Sequence, residues 1–543
     1  MNPNRILKPG RNCLDIYDAE ASGLLVDARD FYGAFVRGAL GARQYILMAG
    51  WQFESRVRLL RGADEEAFGG DSRFLPFLTS LCEKNPDLHI YILAWDFTFL
   101  FSLNRQWFQK WIFETWGGHE RIHFVDDDCH ALGASHHQKF VVIDGTLAFA
   151  GGMDLCAGRW DDRRHQKENP ERVDPSGQAF DPVHDVQAHV TGPAAGALAD
   201  LFTGRWLAAG GPPLTLPPPS GRPPAFDDAL PIAIPRVALS RTRARTLLPP
   251  QDEIREIRQL YQDAIAAAEK LIYLENQYFT SGAVHRALLE RLADENRPKL
   301  QVLHVLPQRA HTLMEQASLA HLQKKILDSL RAAAKQGGHR LGIYSPVSGA
   351  GPSEVQVYIH SKVLVVDDRF LTVGSANTTN RSMGLDTELN LSWEAAPNDG
   401  ESIRSIREAR LSLLAEHLGN GDMPDSGDLV EFLDRRADAG DTRLRRHDGD
   451  VEDVARWLDE LGATEIADSE KPFLDEQIYE TVSRDPAGFF ARGLTALNGI
   501  LGNGPAGSST GRMARFRRFL RYVFPIAALA AGLTLFWLYF RGP

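Results

Sequence analysis

Residues 137–144, HQKFVVID, and residues 360–367, HSKVLVVD, decide the reading of this chain. Each is a histidine, one intervening residue, a lysine, four apolar residues and an aspartate. The apolar runs Phe140–Ile143 and Val363–Val366 have the length and composition of short buried strands. In an extended chain, residues i and i+2 face the same side. His137 and Lys139 therefore project together, as do His360 and Lys362. His136 is set aside, because only His137 has a lysine two positions on. Asp144 and Asp367 have the opposite parity and read as supports for the strand end and the nearby loop. Gly151 recurs as Gly374 at the same offset of 223 that relates the two motifs, and Asp154 falls on Asn377. An internal repeat of this kind outranks local assignments. It predicts two similar lobes packed with pseudo-two-fold symmetry, each bringing one histidine–lysine pair to a shared site.

Working outward, residues 44–51 and 88–95 are apolar runs typical of buried strands, and another begins at Leu271. Amphipathic helical stretches cover Asp27–Leu40, 253–270, 312–336 and 402–418. Strands alternating with helices predict an α/β fold of mixed sheets flanked by helices. The Pro-rich stretch 212–224, PPLTLPPPSGRPP, suits neither helix nor central strand and reads as a linker. The expected organisation is a first lobe over 1–211, a linker over 212–231 and a second lobe over 232–420. A polar region follows over 421–511, with a short helix at 451–461. A basic segment occupies 512–521, with Arg512, Arg515, Arg517, Arg518 and Arg521. Residues 522–540 are uncharged and almost wholly apolar, the length of a transmembrane helix. Arginines before such a span place the large N-terminal portion on the cytoplasmic side. The expectation is a membrane protein with a single C-terminal span.

Composition narrows the partners. The chain has 43% hydrophobic and 24% charged residues, a globular profile. Its formal net charge of −11 argues against nucleic acid, whose binding rests on cationic contacts to phosphate. Four cysteines with no CxxC pair predict neither a disulfide framework nor a zinc site.

Two imidazoles and two ammoniums around one phosphate suit phosphodiester cleavage without a metal or other cofactor. One imidazole attacks phosphorus and forms a phosphohistidine. The other protonates the leaving alcohol, then takes a proton from the incoming water or alcohol. Lys139 and Lys362 stabilise charge on the non-bridging oxygens.

Several further stretches carry a family resemblance: residues 151–161 (GGMDLCAGRWD), 274–279 (LENQYF), 374–382 (GSANTTNRS), 386–389 (DTEL) and 415–419 (AEHLG). With the two HxKxxxxD motifs, they make the chain resemble the phospholipase D superfamily, and within it the eukaryotic-type lipid-cleaving members, over roughly residues 5–420. Leu414 departs from the pattern, where the family often has an aromatic. The resemblance implies that Asp185 orients the first histidine and Glu388 the second, a carboxylate on the far ring nitrogen fixing the tautomer. It implies that Asn377 contacts phosphate alongside Lys139 and Lys362, with Asp154 in its place in the first lobe. It assigns His137 as nucleophile and His360 as acid, although the residues themselves are symmetric. No C2, PX or PH pattern precedes residue 20, so membrane recruitment falls to the C-terminal span. The implied activity is hydrolysis of a glycerophospholipid to phosphatidic acid and a head-group alcohol, with transfer to other alcohols as a side reaction, by a monomer. The alternatives are a cardiolipin synthase-like phosphatidyltransferase and, ranked below it, a superfamily nuclease.

Overall fold

Strand-forming runs that are apolar on both faces need cover on both sides, and the architecture supplies it. The structure, a computed structural model, describes residues 5–95, 113, 119–131, 133–247, 250–309, 313–419, 421–447 and 468–472. The chain divides into two compact units, Met1–Trp95 with Phe108–Phe473, and Asp96–Trp107 with Leu474–Pro543; the second lies outside the described residues.

The first half builds an eight-stranded mixed sheet. At its centre, Phe140–Ile143 pairs antiparallel with Tyr45–Gly50 and with Leu147–Gly151. Tyr45–Gly50 continues parallel to His89–Trp95, which in turn lies parallel to Ile122–Asp127. The second half repeats the arrangement in an eleven-stranded sheet. There Val363–Val366 pairs antiparallel with Leu271–Glu275 and Phe370–Gly374, and Leu271–Glu275 runs parallel to Gln301–Val305. The duplication seen in the motifs thus extends to strand order around them.

One face of each sheet packs into a common core. Phe140, Val142, Ala148, Val186 and Val190 from the first sheet join Val363, Val365, Leu371, Leu391 and Trp393 from the second. The outer faces are covered by helices. Asp27–Leu40 and Phe74–Lys84 lie on the first sheet, with Phe31, Phe35, Phe74 and Phe77 buried against Ile46, Met48 and Ile90. Glu256–Ala267, Gly282–Ala293 and Leu313–Gly337 serve the second sheet. Each buried Val, Leu or Phe side chain contributes about 1.5–3 kcal/mol through loss of water contact.

The halves are not cleanly partitioned along the chain. Asp15–Asp18, near the N-terminus, pairs with Arg236–Arg243 in the second sheet. The second sheet also extends past residue 420: Leu444–Arg446 pairs with Arg340–Ser348, and Leu429–Ala439 packs beside it through Leu429, Val430 and Leu433.

The expected C-terminal transmembrane helix is corrected. Among the described residues, no helix is long and apolar enough to cross a membrane. The longest, Leu313–Gly337, carries Lys324, Lys325, Asp328, Arg331 and Lys335 along its length. Residues 522–540, like the helix expected at 451–461 and the basic segment 512–521, lie outside the described residues. The membrane localisation inferred from that span is not supported by the described residues.

Candidate active site

The two HxK triplets are not strands themselves; each is the extended lead-in to one. Each hydrogen-bonds to the opposite half. The His137 N–H donates to the Thr387 carbonyl at 2.9 Å, and the His360 N–H donates to the His184 carbonyl at 2.8 Å. His136 forms a bridge with Thr387, and Tyr358–Ile359 runs parallel to Val183–His184. This cross-pairing sets one motif beside the other half's acid.

The acids are therefore exchanged relative to the sequence expectation. Glu388 accepts from Nδ1 of His137 at 3.0 Å, and Asp185 accepts from Nδ1 of His360 at 2.6 Å. The reason is topological: each carboxylate sits at the start of the strand whose carbonyl neighbour receives the opposite motif. Glu388 is completely buried and is further held by the hydroxyls of Ser382, at 2.6 Å, and Ser375. Asp185 has Gly152 where Glu388 has Ser375. A Cβ at Gly152 would come within 2.2 Å of an Asp185 carboxylate oxygen, so glycine is required for this close approach.

The lysines lie beside their histidines. Nζ of Lys139 donates to the His137 carbonyl at 3.1 Å and pairs with Asp154 at 3.3 Å. Nζ of Lys362 bonds the His360 carbonyl and donates to Oε1 of Gln277 at 3.3 Å. Asp154 also accepts from the Trp51 N–H at 2.8 Å. In the second half its equivalent, Asn377, is nearly buried and uncharged, so Lys362 has no matching carboxylate at that position.

Asp144 and Asp367 face away from this cluster. Asp144 accepts from the backbone N–H groups of Arg43, Gln44 and Tyr45 at 2.7–2.9 Å. Asp367 does the same for Glu269, Lys270 and Leu271 at 2.7–2.8 Å. Both have positive φ, 49° and 54°. Each ties the end of its motif strand to the start of the neighbouring strand.

Electrostatically the site is short of negative charge. Burial pushes the His360 imidazole well below its ordinary range, and Lys362, Arg159, Lys139 and His137 push it further down. His137 and Lys139 of the first motif thus lie close enough to act electrostatically on His360, and Lys139 on Lys362. Burial lowers Lys362 to about 7, with Lys139 and Arg159 adding repulsion against the pull of Asp185 and Glu388. Burial also raises Asp185 to about 7, against the attraction of Lys362. An anion entering among these groups would restore the charged forms of His360 and Lys362.

Arg159 and Gln277 were not singled out individually in the sequence. Arg159 lies in GRWD and Gln277 in ENQYF, so the signal was inside stretches that carried the resemblance. Their proximity to Lys362 comes from the fold.

The arrangement defines a duplicated α/β protein that gathers two carboxylate-oriented histidines and two lysines at one anion-ready site. The family model described as "Cardiolipin synthase, PLD-like domain" matches residues 261–408. The chain is 24% identical to phospholipase D alpha 1 of Vigna unguiculata, over 73% of this chain and 65% of that protein. It is 24% identical to phospholipase D1 of Saccharomyces cerevisiae, over 76% of this chain and 29% of that protein. The crystal structure of phosphatidylserine synthase from Haemophilus influenzae Rd KW20 has the same fold. Its TM-score is 0.51 at 12% identity, covering 83% of this chain and 96% of that one. The family-model match, the phospholipase D relatives and the shared fold together support the phospholipase D superfamily. It spans 65% of the length of the plant relatives it matches.

Proposed function

We propose that this protein is a phosphodiesterase that hydrolyses a glycerophospholipid to phosphatidic acid and a head-group alcohol through a phosphohistidine. The observation that carries the reading is the exchanged pairing of His137 with Glu388 and His360 with Asp185, next to Lys139 and Lys362. Two oriented imidazoles and two ammoniums match the needs of an in-line displacement in two steps. In the first step, a lone pair of His137 Nε2 attacks phosphorus while His360 Nε2 gives its proton to the departing alkoxide. In the second, His360 takes a proton from water, the water oxygen bonds phosphorus, and the phosphorus–nitrogen bond breaks. Lys139, Lys362 and Asn377 hold the non-bridging oxygens, and Arg159 adds a cation to the same field. The His137 nucleophile assignment follows the family resemblance. The depressed His360 fits a proton donor that is loaded only once the phosphate's negative charge is present.

A second reading, transfer of the phosphatidyl group to a lipid alcohol, draws support from the names of the matching family model and of the structural neighbour. Both readings share the intermediate and differ in the acceptor. Incubation with defined phospholipids and about 1% primary alcohol separates them. Phosphatidic acid with some phosphatidylalcohol supports hydrolysis, and a product formed only with lipid alcohols supports the transferase. His360→Asn given a p-nitrophenyl phosphodiester should accumulate label on His137. Label elsewhere would reverse the assignment.

A further inference from the structure

Behind the site, carboxylates and imidazoles alternate in a buried chain that the proposed reaction does not use. His165 bonds Asp161 through Nδ1 at 3.0 Å and Glu416 through Nε2 at 3.0 Å. His184 bonds the same Glu416 oxygen through Nδ1 at 2.7 Å, and Glu275 through Nε2 at 3.0 Å. His417 donates to the other oxygen of Glu275 at 2.9 Å. Asp27 faces His165 and His184 at 3.4 and 3.3 Å. Every one of these side chains is buried. Asp161, Glu275, Glu416 and His417 come from the GRWD, ENQYF and AEHLG stretches and His184 from the HD pair at 184–185, while Asp27 and His165 lie outside them, and the chain runs from the first half into the second.

A neutral imidazole has one N–H to donate. His165 and His184 each present both ring nitrogens to carboxylates, and against burial their histidine partners hold Glu275 and Glu416 below the usual carboxylate range, so each ring carries two protons or shares a metal in place of the inner pair. Two protons and one divalent cation carry the same charge, so distance must decide. Tetrahedral ligands at about 2.0–2.1 Å from a metal lie about 3.3 Å from one another. The 2.7 and 3.0 Å contacts to Glu416 are instead hydrogen-bond lengths. Four carboxylates (Asp27, Asp161, Glu275 and Glu416) then face two imidazoliums and the guanidiniums of Arg172, on Asp161, and Arg163, on Glu416. Burial opposes the charge on both rings, yet Asp27, Asp161 and Glu416 raise His165 to about 9, and Glu275, Glu416 and Asp27 hold His184 well above its ordinary range.

His184 is also connected to His360 by three routes. Its carbonyl accepts the His360 N–H at 2.8 Å. Its neighbour Asp185 accepts from the His360 ring at 2.6 Å. Its partner oxygen on Glu275 also accepts from the Ser361 hydroxyl at 2.7 Å, and Ser361 follows His360 in the chain. In the other half, the residue before Glu388 is Thr387, whose carbonyl receives the His137 N–H but which has no imidazole. The device serves one histidine of the pair.

We infer that His184, as a buried imidazolium bridging Glu416 and Glu275, is a positioning residue that holds His360 in place as the proton donor to the leaving group. The kinetic half of this inference rests on the phosphodiesterase reading above. The imidazolium beside Asp185 favours its carboxylate, the form that accepts from Nδ1 of His360 and keeps that ring oriented.

The test uses the full chain. Histidine-labelled protein examined by NMR at pH 7.5 should show buried imidazolium rings, one of which disappears in His184→Gln. His184→Gln should lower kcat/KM at least 30-fold for an alkyl phosphodiester, whose leaving group needs a proton. For a p-nitrophenyl phosphodiester, which needs none, the loss should be under fivefold. Ser361→Ala, which removes a single hydroxyl, should show the same split at three- to tenfold, and decides the matter if His184→Gln does not fold. Equal losses on both esters, a neutral His184 ring, or about one equivalent of divalent metal held by the purified protein would each overturn the inference. Wild-type inactivity on every phosphodiester overturns the functional reading instead, and is recognised because the imidazolium signals persist.

Discussion

Replacing Asp144 tests whether the aspartate of the first motif is chemical or structural. Its carboxylate receives three backbone N–H groups, from Arg43 at 2.7 Å and from Gln44 and Tyr45 at 2.9 Å, and the residue sits at φ 49°. A hydrogen bond to a charged group contributes about 1.5–3 kcal/mol. The Arg43 and Gln44 groups are only partly buried and can recover water in the variant, so the sum is well below three full bonds. Alanine also tolerates positive φ less well than aspartate, by about 1 kcal/mol. Asp144→Ala should therefore destabilise by roughly 3–5 kcal/mol. For a cooperative half of some 200 residues, this lowers the thermal midpoint by roughly 6–15 °C. Asp144→Asn keeps one acceptor oxygen and should lose about half as much. Scanning calorimetry gives the midpoint, and turnover at 15 °C on the folded fraction should stay within about threefold of wild type. A midpoint within 2 °C of wild type, or full loss of turnover in a protein that melts normally, would refute the structural role.

Three other outcomes follow from the same geometry. His137→Ala and His360→Ala should each reduce turnover by roughly 10³-fold or more, and the double variant should be scarcely worse, since residues acting as one unit are not additive; an active single variant contradicts the mechanism. Asp185→Asn should mimic loss of His360, and Glu388→Gln loss of His137, because of the exchanged pairing; burst kinetics with a p-nitrophenyl ester should show a slowed burst for Glu388→Gln and a retained burst with slow turnover for Asp185→Asn, and the opposite assignment would restore the uncrossed arrangement. Lys362, lowered to about 7, carries its charge below that pH and loses it above. Inhibition by tungstate, whose own charge is constant there, should therefore weaken by up to about tenfold per pH unit above 7, and a flat profile between pH 6 and 9 would count against the lowered lysine.

Much of the fold was legible because it is written locally. The Asp27–Leu40 helix and the strands Phe140–Ile143 and Val363–Val366 occur where their periodicity and apolar runs placed them. The HxK triplets, expected within strands, are lead-ins to them instead. What the sequence could not give is anything decided across halves. No local pattern says that Asp185 will face His360 instead of His137, because that depends on which carbonyl row each motif pairs with. Asp15–Asp18 shows the same limit: nothing in DIYD distinguishes a strand of the first sheet from one of the second. His184 read as a neighbour of Asp185, and its two carboxylate partners lie 91 and 232 residues away.

The exchanged pairing has a consequence for how this site exists at all. If each acid served the histidine of its own half, each half would carry an oriented imidazole when alone. Here His137 takes its backbone partner and its carboxylate from the second half, and His360 takes both from the first. Separation of the halves would part both imidazoles from their carboxylates at once, leaving Glu388 with only the Ser382 and Ser375 hydroxyls and Asp185 with the Val186 N–H. Breaking one such buried pair costs about 3–5 kcal/mol. The interface is therefore held by the His137–Glu388 and His360–Asp185 pairs themselves, in addition to the shared apolar core of Val186, Val363 and Trp393. Orientation of the imidazoles and cohesion of the two sheets are the same set of contacts. A substitution in the site should consequently be felt as instability between the halves, while one in the outer helices should leave the chemistry intact.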